Sequence, residues 1–320
     1  MDIQLLISNL TNPTLLFFIL GIVASTVKSD LEIPSSTSKF ISLYLLFSIG
    51  FKGGQELAHS HFSVDIIYAL AFGLAIASLI PVYTFFLLKR RMSISDAGAI
   101  SAAYGSVSAV TFVAAVSFLE AQQVSFGGHM VAVMALMESP AIIMGMILLI
   151  RFDEETHNTG KLGTIIRHSF TNGSVLMILG SLFIGLIADT KQAEGIKPFT
   201  TDIFKGFLAI FLLEMGMVTA KRFSAFIKYG WFAPLFAIVV PLINGCAVAA
   251  MSGLFIHDPG NRFIFAILSA SASYIAVPAA MRLAAPKADP GLYIPMAIGV
   301  TFPFNITLGM PLYFFIVTNI

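Results

Sequence analysis

Gly98-Ala-Ile-Ser-Ala-Ala-Tyr104-Gly105-Ser106-Val107-Ser108-Ala109-Val110-Thr111-Phe-Val-Ala-Ala-Val-Ser-Phe-Leu119 decides how the chain is read. The stretch is apolar enough for a bilayer. Its centre, Tyr104 to Thr111, is nevertheless small and hydroxyl-bearing. Gly, Ser, Val and Thr all rank below Ala and Leu as helix formers, so the run makes a poor continuous helix. About 165 residues later comes a second such run, Leu268-Ser-Ala-Ser271-Ala-Ser273-Tyr274-Ile275-Ala-Val-Pro278. Pro278 has no N–H to donate and disfavours helix at Val277. Two weakened, hydroxyl-rich segments at matching places in two halves point to a transporter's binding site. Small residues also let helices pack closely. That accounts for either run alone better than for the pair.

Composition agrees with a membrane setting. The 320 residues are 57% hydrophobic and 11% charged, with 30 Phe, and the mean hydropathy is +0.90. A soluble domain carries roughly 25% charge. A net charge of +1 leaves no nucleic-acid footprint. The single cysteine, Cys246, allows no intrachain disulfide. Met1 to Leu10 is short, carries Asp2 and lacks a basic start, so the first apolar run is expected to be a retained helix, not a cleaved leader.

A spanning helix needs about 20 mainly apolar residues. Ten segments meet this, at roughly 12–28, 36–57, 63–88, 95–119, 128–151, 172–189, 202–221, 228–255, 261–284 and 291–318. The longest polar stretch, Arg151 to His168, falls at their centre. Lys28, the Lys89-Arg90-Arg91 run, Arg151, Lys161, Arg167, Lys221, Arg222, Lys228, Arg282 and Lys287 all follow odd-numbered segments. That side is therefore cytoplasmic, and both termini point outward. The opposite side has fewer cations, chiefly Lys52, Lys191, Lys197 and Arg262.

The halves repeat. Gly50 in Leu45-Leu-Phe-Ser-Ile-Gly50-Phe matches Gly216 in Phe211-Leu-Leu-Glu-Met-Gly216-Met, and Gly145-Met-Ile-Leu148 matches Gly309-Met-Pro-Leu312. With the Ser-x-Ser runs, the offsets are 166, 164 and 165 residues. Each half has an odd number of spans, so the second must sit inverted, as in secondary transporters. The expectation is an all-α integral membrane protein of ten transmembrane helices. Residues 1–160 form one five-helix repeat and 161–320 the second, and two broken helices cross near mid-membrane.

Tyr104-Gly-Ser-Val-Ser-Ala-Val-Thr-Phe-Val-Ala-Ala115, Leu136-Met-Glu-Ser-Pro-Ala141, Ile49-Gly-Phe-Lys-Gly-Gly54 and Ser271-Ala-Ser-Tyr-Ile-Ala-Val-Pro-Ala-Ala-Met-Arg282 carry a resemblance. From about Asn12 to its end the chain resembles the sodium-dependent bicarbonate transporters, best known from cyanobacteria. The resemblance implies a core (substrate) domain and a gate domain, each built from both repeats, a homotrimer, and sodium-coupled bicarbonate uptake. Two departures stand out. The cyanobacterial Gly-x-x-Ser-Gly-Ser-Thr is here Gly105-Ser-Val-Ser108-Ala109-Val110-Thr111, and Tyr274 stands where those members carry an acid. Their longer central loop binds a PII-like regulatory protein, and the short loop here argues against such a partner.

A buried anion needs donors and positive potential. The N–H groups of a half-helix start supply both. The anion site is therefore expected from Ser106, Val107, Ser108, Ala109 and Thr111 in the first run and Ser271, Ser273, Tyr274 and Ile275 in the second. Each serine hydroxyl has the alternative of bonding back to its own helix. Sodium, a hard cation, is expected at Glu138, Ser273, Thr301 and Asn305. Glu138 lies inside an apolar span, where carboxylates are costly and functional by default. Binding sodium, carrying a proton and bracing the broken helices all remain open for it. Glu214 is either functional or paired with Lys221 or Arg222, and Lys52 either snorkels or attracts anions. HExxH, Walker A and GxSxG are all missing, which argues against an enzyme. The expected activity is sodium-coupled import of a small anion, bicarbonate first, across the plasma membrane. The rivals are another small carboxylate, cation/proton exchange through Glu138, and a membrane receptor that binds without transport.

Overall fold

The computed structural model describes residues 11–59, 64–152, 173–226, 230–274, 277–278, 280–281 and 285–320. Met1 to Leu10, most of the central polar stretch with its bearing on a PII-like partner, Arg282 and the candidate Ile275 lie outside these residues. Among the described residues every regular element is helical. Apart from short helical pieces at Thr190–Glu194, Pro198–Asp202 and Ser252–Leu254, the helices are α1 (Pro13–Thr26), α2 (Ser35–His59), α3 (Val64–Leu88), α4 (Ile94–Gly105), α5 (Ala109–Ala121), α6 (His129–Phe152), α7 (Gly173–Ile187), α8 (Phe204–Phe226), α9 (Phe232–Met251), α10 (Pro259–Ser269) and α11 (Pro290–Asn319). Proline or a capping side chain marks several starts. Asn12 accepts from the Thr14 N–H at 3.0 Å, Ser93 from Asp96 at 3.1 Å and Asp258 from Asn261 at 2.7 Å. Each satisfies one of the orphan donors of a first turn.

Among the described residues six helical stretches are long and apolar enough to cross a membrane. The expected spans 12–28 and 172–189 emerge as shorter apolar helices of 14 and 15 residues. The expected span 261–284 is an 11-residue helix followed by a break. In α11 the ladder widens to π-type turns at Met296–Thr301 and Asn305–Gly309, on either side of Pro303. Proline removes a ladder donor and crowds the carbonyl four residues back, and such bulges absorb that. The outer surface is apolar. Leu16, Leu20 and Val23 of α1 and Leu176, Phe183 and Ile187 of α7 are all exposed. A patch of that kind calls for lipid or a partner.

Glycines set the closest helix approaches. A Cβ on Gly50 would meet the Ile178 carbonyl of α7 at 2.7 Å. One on Gly216 would collide with the Phe18 carbonyl of α1. Thus α2 packs on α7, and α8 packs on α1. The middle of the molecule belongs to α4 and α5. In their joint apolar window 94% of residues are buried, against 39% for α3, which makes them the axis on which the rest is laid. Arg262, expected as a flanking charge, is instead buried. Its guanidinium donates at 3.1 Å to Ala249 at the end of α9 and at 3.1 Å to Val317 near the end of α11. Two negative helix termini compensate the cation there.

Candidate functional site

The helix expected to fail at Tyr104–Thr111 does stop. Ser106 and Ser108 are both extended, at φ −80°, ψ 164° and φ −101°, ψ 110°. Ser108 then caps α5, its hydroxyl accepting from the Thr111 N–H at 3.2 Å. The first N–H groups of a helix have no intrahelical acceptor. With Thr111 satisfied by Ser108, those of Ala109 and Val110 are the donors α5 presents to the break. In the second run, α10 ends at Ser269 and Ser271 to Ser273 follow no helical path.

The two breaks are bonded to each other. The Ser108 N–H donates to the Ser271 hydroxyl at 3.0 Å, and the Ser273 N–H donates to the Ala103 carbonyl at 2.8 Å. Ser271 also donates to Leu268 at 2.8 Å. Between them lies a cavity of about 20 Å³ lined by Val107, Ser108, Ala109, Glu138, Ser174, Ser273 and Tyr274. That volume suits about one water-sized sphere. Glu138, half-buried on α6, takes no hydrogen bond or ion pair from the described residues.

The structure thus brings five expected anion-site residues, Val107, Ser108, Ala109, Ser273 and Tyr274, to one cavity with Glu138. Ser106, Thr111 and Ser271 lie buried beside it, the Ser106 hydroxyl without a partner. Thr301 and Asn305 are not among the residues lining that cavity. Thr301 donates to Ala237 at 2.7 Å and meets the Tyr104 hydroxyl at 2.8 Å. Asn305 donates to the Ala270 carbonyl at 2.7 Å. Thr301 thereby ties α11 to α9 and to α4, and Asn305 ties α11 to the second break.

Sequence reasoning missed Ser174, which lines the cavity from the start of α7. It also missed Asn244, which donates to the Ser269 carbonyl at 3.2 Å and accepts from Tyr83. An Asn inside the apolar run of α9 was the available signal. Glu214 lies opposite Ser38 of α2, with one carboxylate oxygen buried and unpartnered. Lys52 neither snorkels freely nor stands alone, since its ammonium meets Glu120 at 3.3 Å. No group of three or more His, Cys, Asp or Glu gathers among the described residues. Hydroxyls, carbonyls and single carboxylates are oxygen donors, which suit a hard cation better than a soft one.

Interrupted helices bonded to each other deep inside an apolar-surfaced molecule, all-helical among the described residues, are the build of a multi-pass membrane protein. The family model of the Na+-dependent bicarbonate transporter superfamily matches residues 13–318, and the chain belongs to that family. It is a transporter and not an enzyme. At the level of single sequences, no curated protein matches it.

Proposed function

We propose that the chain imports bicarbonate together with sodium through the cavity between the two breaks. The observation that carries this is the lining of that one cavity. The donor end of α5 and an unpaired carboxylate, Glu138, face the same small volume. A helix start carries about half a positive charge and favours an anion. The carboxylate beside it opposes one, unless a cation lies between. Sodium at Glu138, with oxygens from Ser108 and Ser273, removes that conflict and makes anion binding depend on sodium. The cavity is smaller than bicarbonate, so loading requires the breaks to move apart.

Ten spans in two inverted repeats suit the packing. The α2–α7 and α8–α1 pairs are the partners that a two-fold exchange of two five-helix units produces. In this reading α1, α2, α7 and α8 form the gate, against which the remaining helices move as the core. The termini face outward from the plasma membrane, and the apolar outer faces of α1 and α7 suit lipid or a trimer contact. Cation/proton exchange is the second reading, favoured by the unpaired Glu138. Sodium-dependent uptake of labelled inorganic carbon into proteoliposomes tests the proposal. Counterflow separates a carrier from a receptor, and sodium-driven proton movement without carbon uptake would move the assignment to the second reading.

A further inference from the structure

Glu120, near the end of α5, holds its carboxylate between lysines of two other helices. Lys52 of α2 meets Oε1 and Lys205 of α8 meets Oε2, each at 3.3 Å. Two ammonium groups therefore address the two oxygens of one planar O–C–O unit, one apiece. Lys52 and Glu120 also line a cavity of about 310 Å³, bounded by Ile49 on α2, Val116 on α5, Val131 on α6 and Phe204 on α8. Its volume is in the range of small-ligand sites. It runs along α5 from Glu120 to Val116, and Ala109 at the start of the same helix lines the cavity between the breaks. Seven residues of helix separate Val116 from Ala109, a rise of about 10 Å.

A small oxyanion such as bicarbonate carries the same planar O–C–O unit and the same single charge as the Glu120 side chain. We propose that Lys52 and Lys205 form a loading site for a small planar oxyanion, with Glu120 as the internal occupant that an arriving anion displaces. The proposal rests on the reading of the chain as an anion importer. Displacement is feasible because the trio is wet. Lys52 and Glu120 are each 33% exposed and Lys205 is 59% exposed. Water and salt weaken such pairs, so an external anion exchanges with the internal one at modest cost. Glu56 also lines the cavity, so two carboxylates balance the two lysines, and recognition rests on the paired ammonium geometry and not on a net positive field.

The test uses the purified full chain and Glu120→Gln, which keeps the shape and removes the charge. Thermal unfolding is followed as bicarbonate replaces chloride at constant ionic strength and fixed sodium. With the internal competitor gone, half-saturation should fall by about two- to fivefold, the fold-change to which an exposed ion pair converts. Adding Lys52→Met and Lys205→Met to Glu120→Gln should abolish that gain. If the triple variant fails to fold, Glu120→Gln with Lys205→Met alone, the more exposed lysine, makes the same comparison. Equal responses in Glu120→Gln and the lysine-depleted variant would overturn the site. Uptake by the parent protein is scored separately. A parent that shows the lysine-dependent response but imports no carbon overturns the import reading and keeps the oxyanion site. A parent that imports carbon, with no lysine-dependent response, overturns the site alone.

Discussion

The interruption between α4 and α5 covers Ser106 to Ser108, whereas the one after α10 leaves the helical path at Ala270 and is still irregular at Tyr274. Their compositions are nearly the same, and their construction is not. The first closes on itself, with Ser108 capping the helix that follows it. The second is held by its own Ser271 and, from outside, by two asparagines. Its exposed carbonyls at Leu268, Ser269 and Ala270 are taken by Ser271, by Asn244 of α9 and by Asn305 of α11. An unpaired carbonyl in hydrocarbon costs several kcal/mol, so each of these partners has to be present. Each break therefore uses its own serine, and the second depends in addition on asparagines from the surrounding helices.

Bulk at the first break should have the largest effect. Ala109→Leu places a branched side chain in a cavity of about 20 Å³ and should abolish transport while the protein still inserts and assembles. Retained uptake would show that the anion passes elsewhere. Next comes Glu138→Gln, which keeps shape and removes the charge. Uptake should fall and lose its graded response to sodium, and an unchanged sodium titration would reduce Glu138 to packing.

The comparison of the two breaks is sharpened by a pair of truncations. Asn305→Ala leaves the Ala270 carbonyl without its partner and should lower stability by about 1–3 kcal/mol. Ser108→Ala removes only a cap and should cost about 0.5–2 kcal/mol, nearer the lower end because the break persists through Ser271. Denaturation in detergent at matched lipid content measures both, and a Ser108 variant clearly worse than the Asn305 one would reverse the account. Ser273→Ala should be mildest. The backbone N–H, not the hydroxyl, makes its bond to Ala103, so anion binding should weaken by only about 0.5–1.5 kcal/mol. A complete loss of binding would make that hydroxyl an indispensable ligand.

The helix-breaking character of Tyr104–Thr111, the second interrupted run and six of the apolar spans were legible in the chain because each is written in residues close together. Apolar length, weak helix formers, proline and capping serine act within one or two turns. The approach of α2 to α7 at Gly50, and of α8 to α1 at Gly216, was legible only as a pair of similar motifs. Which helices they touch is a matter of packing. The same holds for Thr301 and Asn305. Their oxygens read as cation ligands in a proline-interrupted run, and sequence could not show that the Thr301 hydroxyl donates to Ala237, or that the Asn305 amide nitrogen donates to Ala270 while its oxygen accepts from Tyr313. Sequence shows that a buried polar group needs a partner and cannot show which one is nearest.

Sequence alone determined that this chain is a membrane protein with two weakened segments, because hydropathy and helix propensity are sums over neighbours. Tertiary structure alone decided that those segments bond to each other, that Glu138 shares their cavity, and that Glu120 sits between Lys52 and Lys205. Those relations depend on distances between helices far apart in the chain, and only the packed fold specifies them.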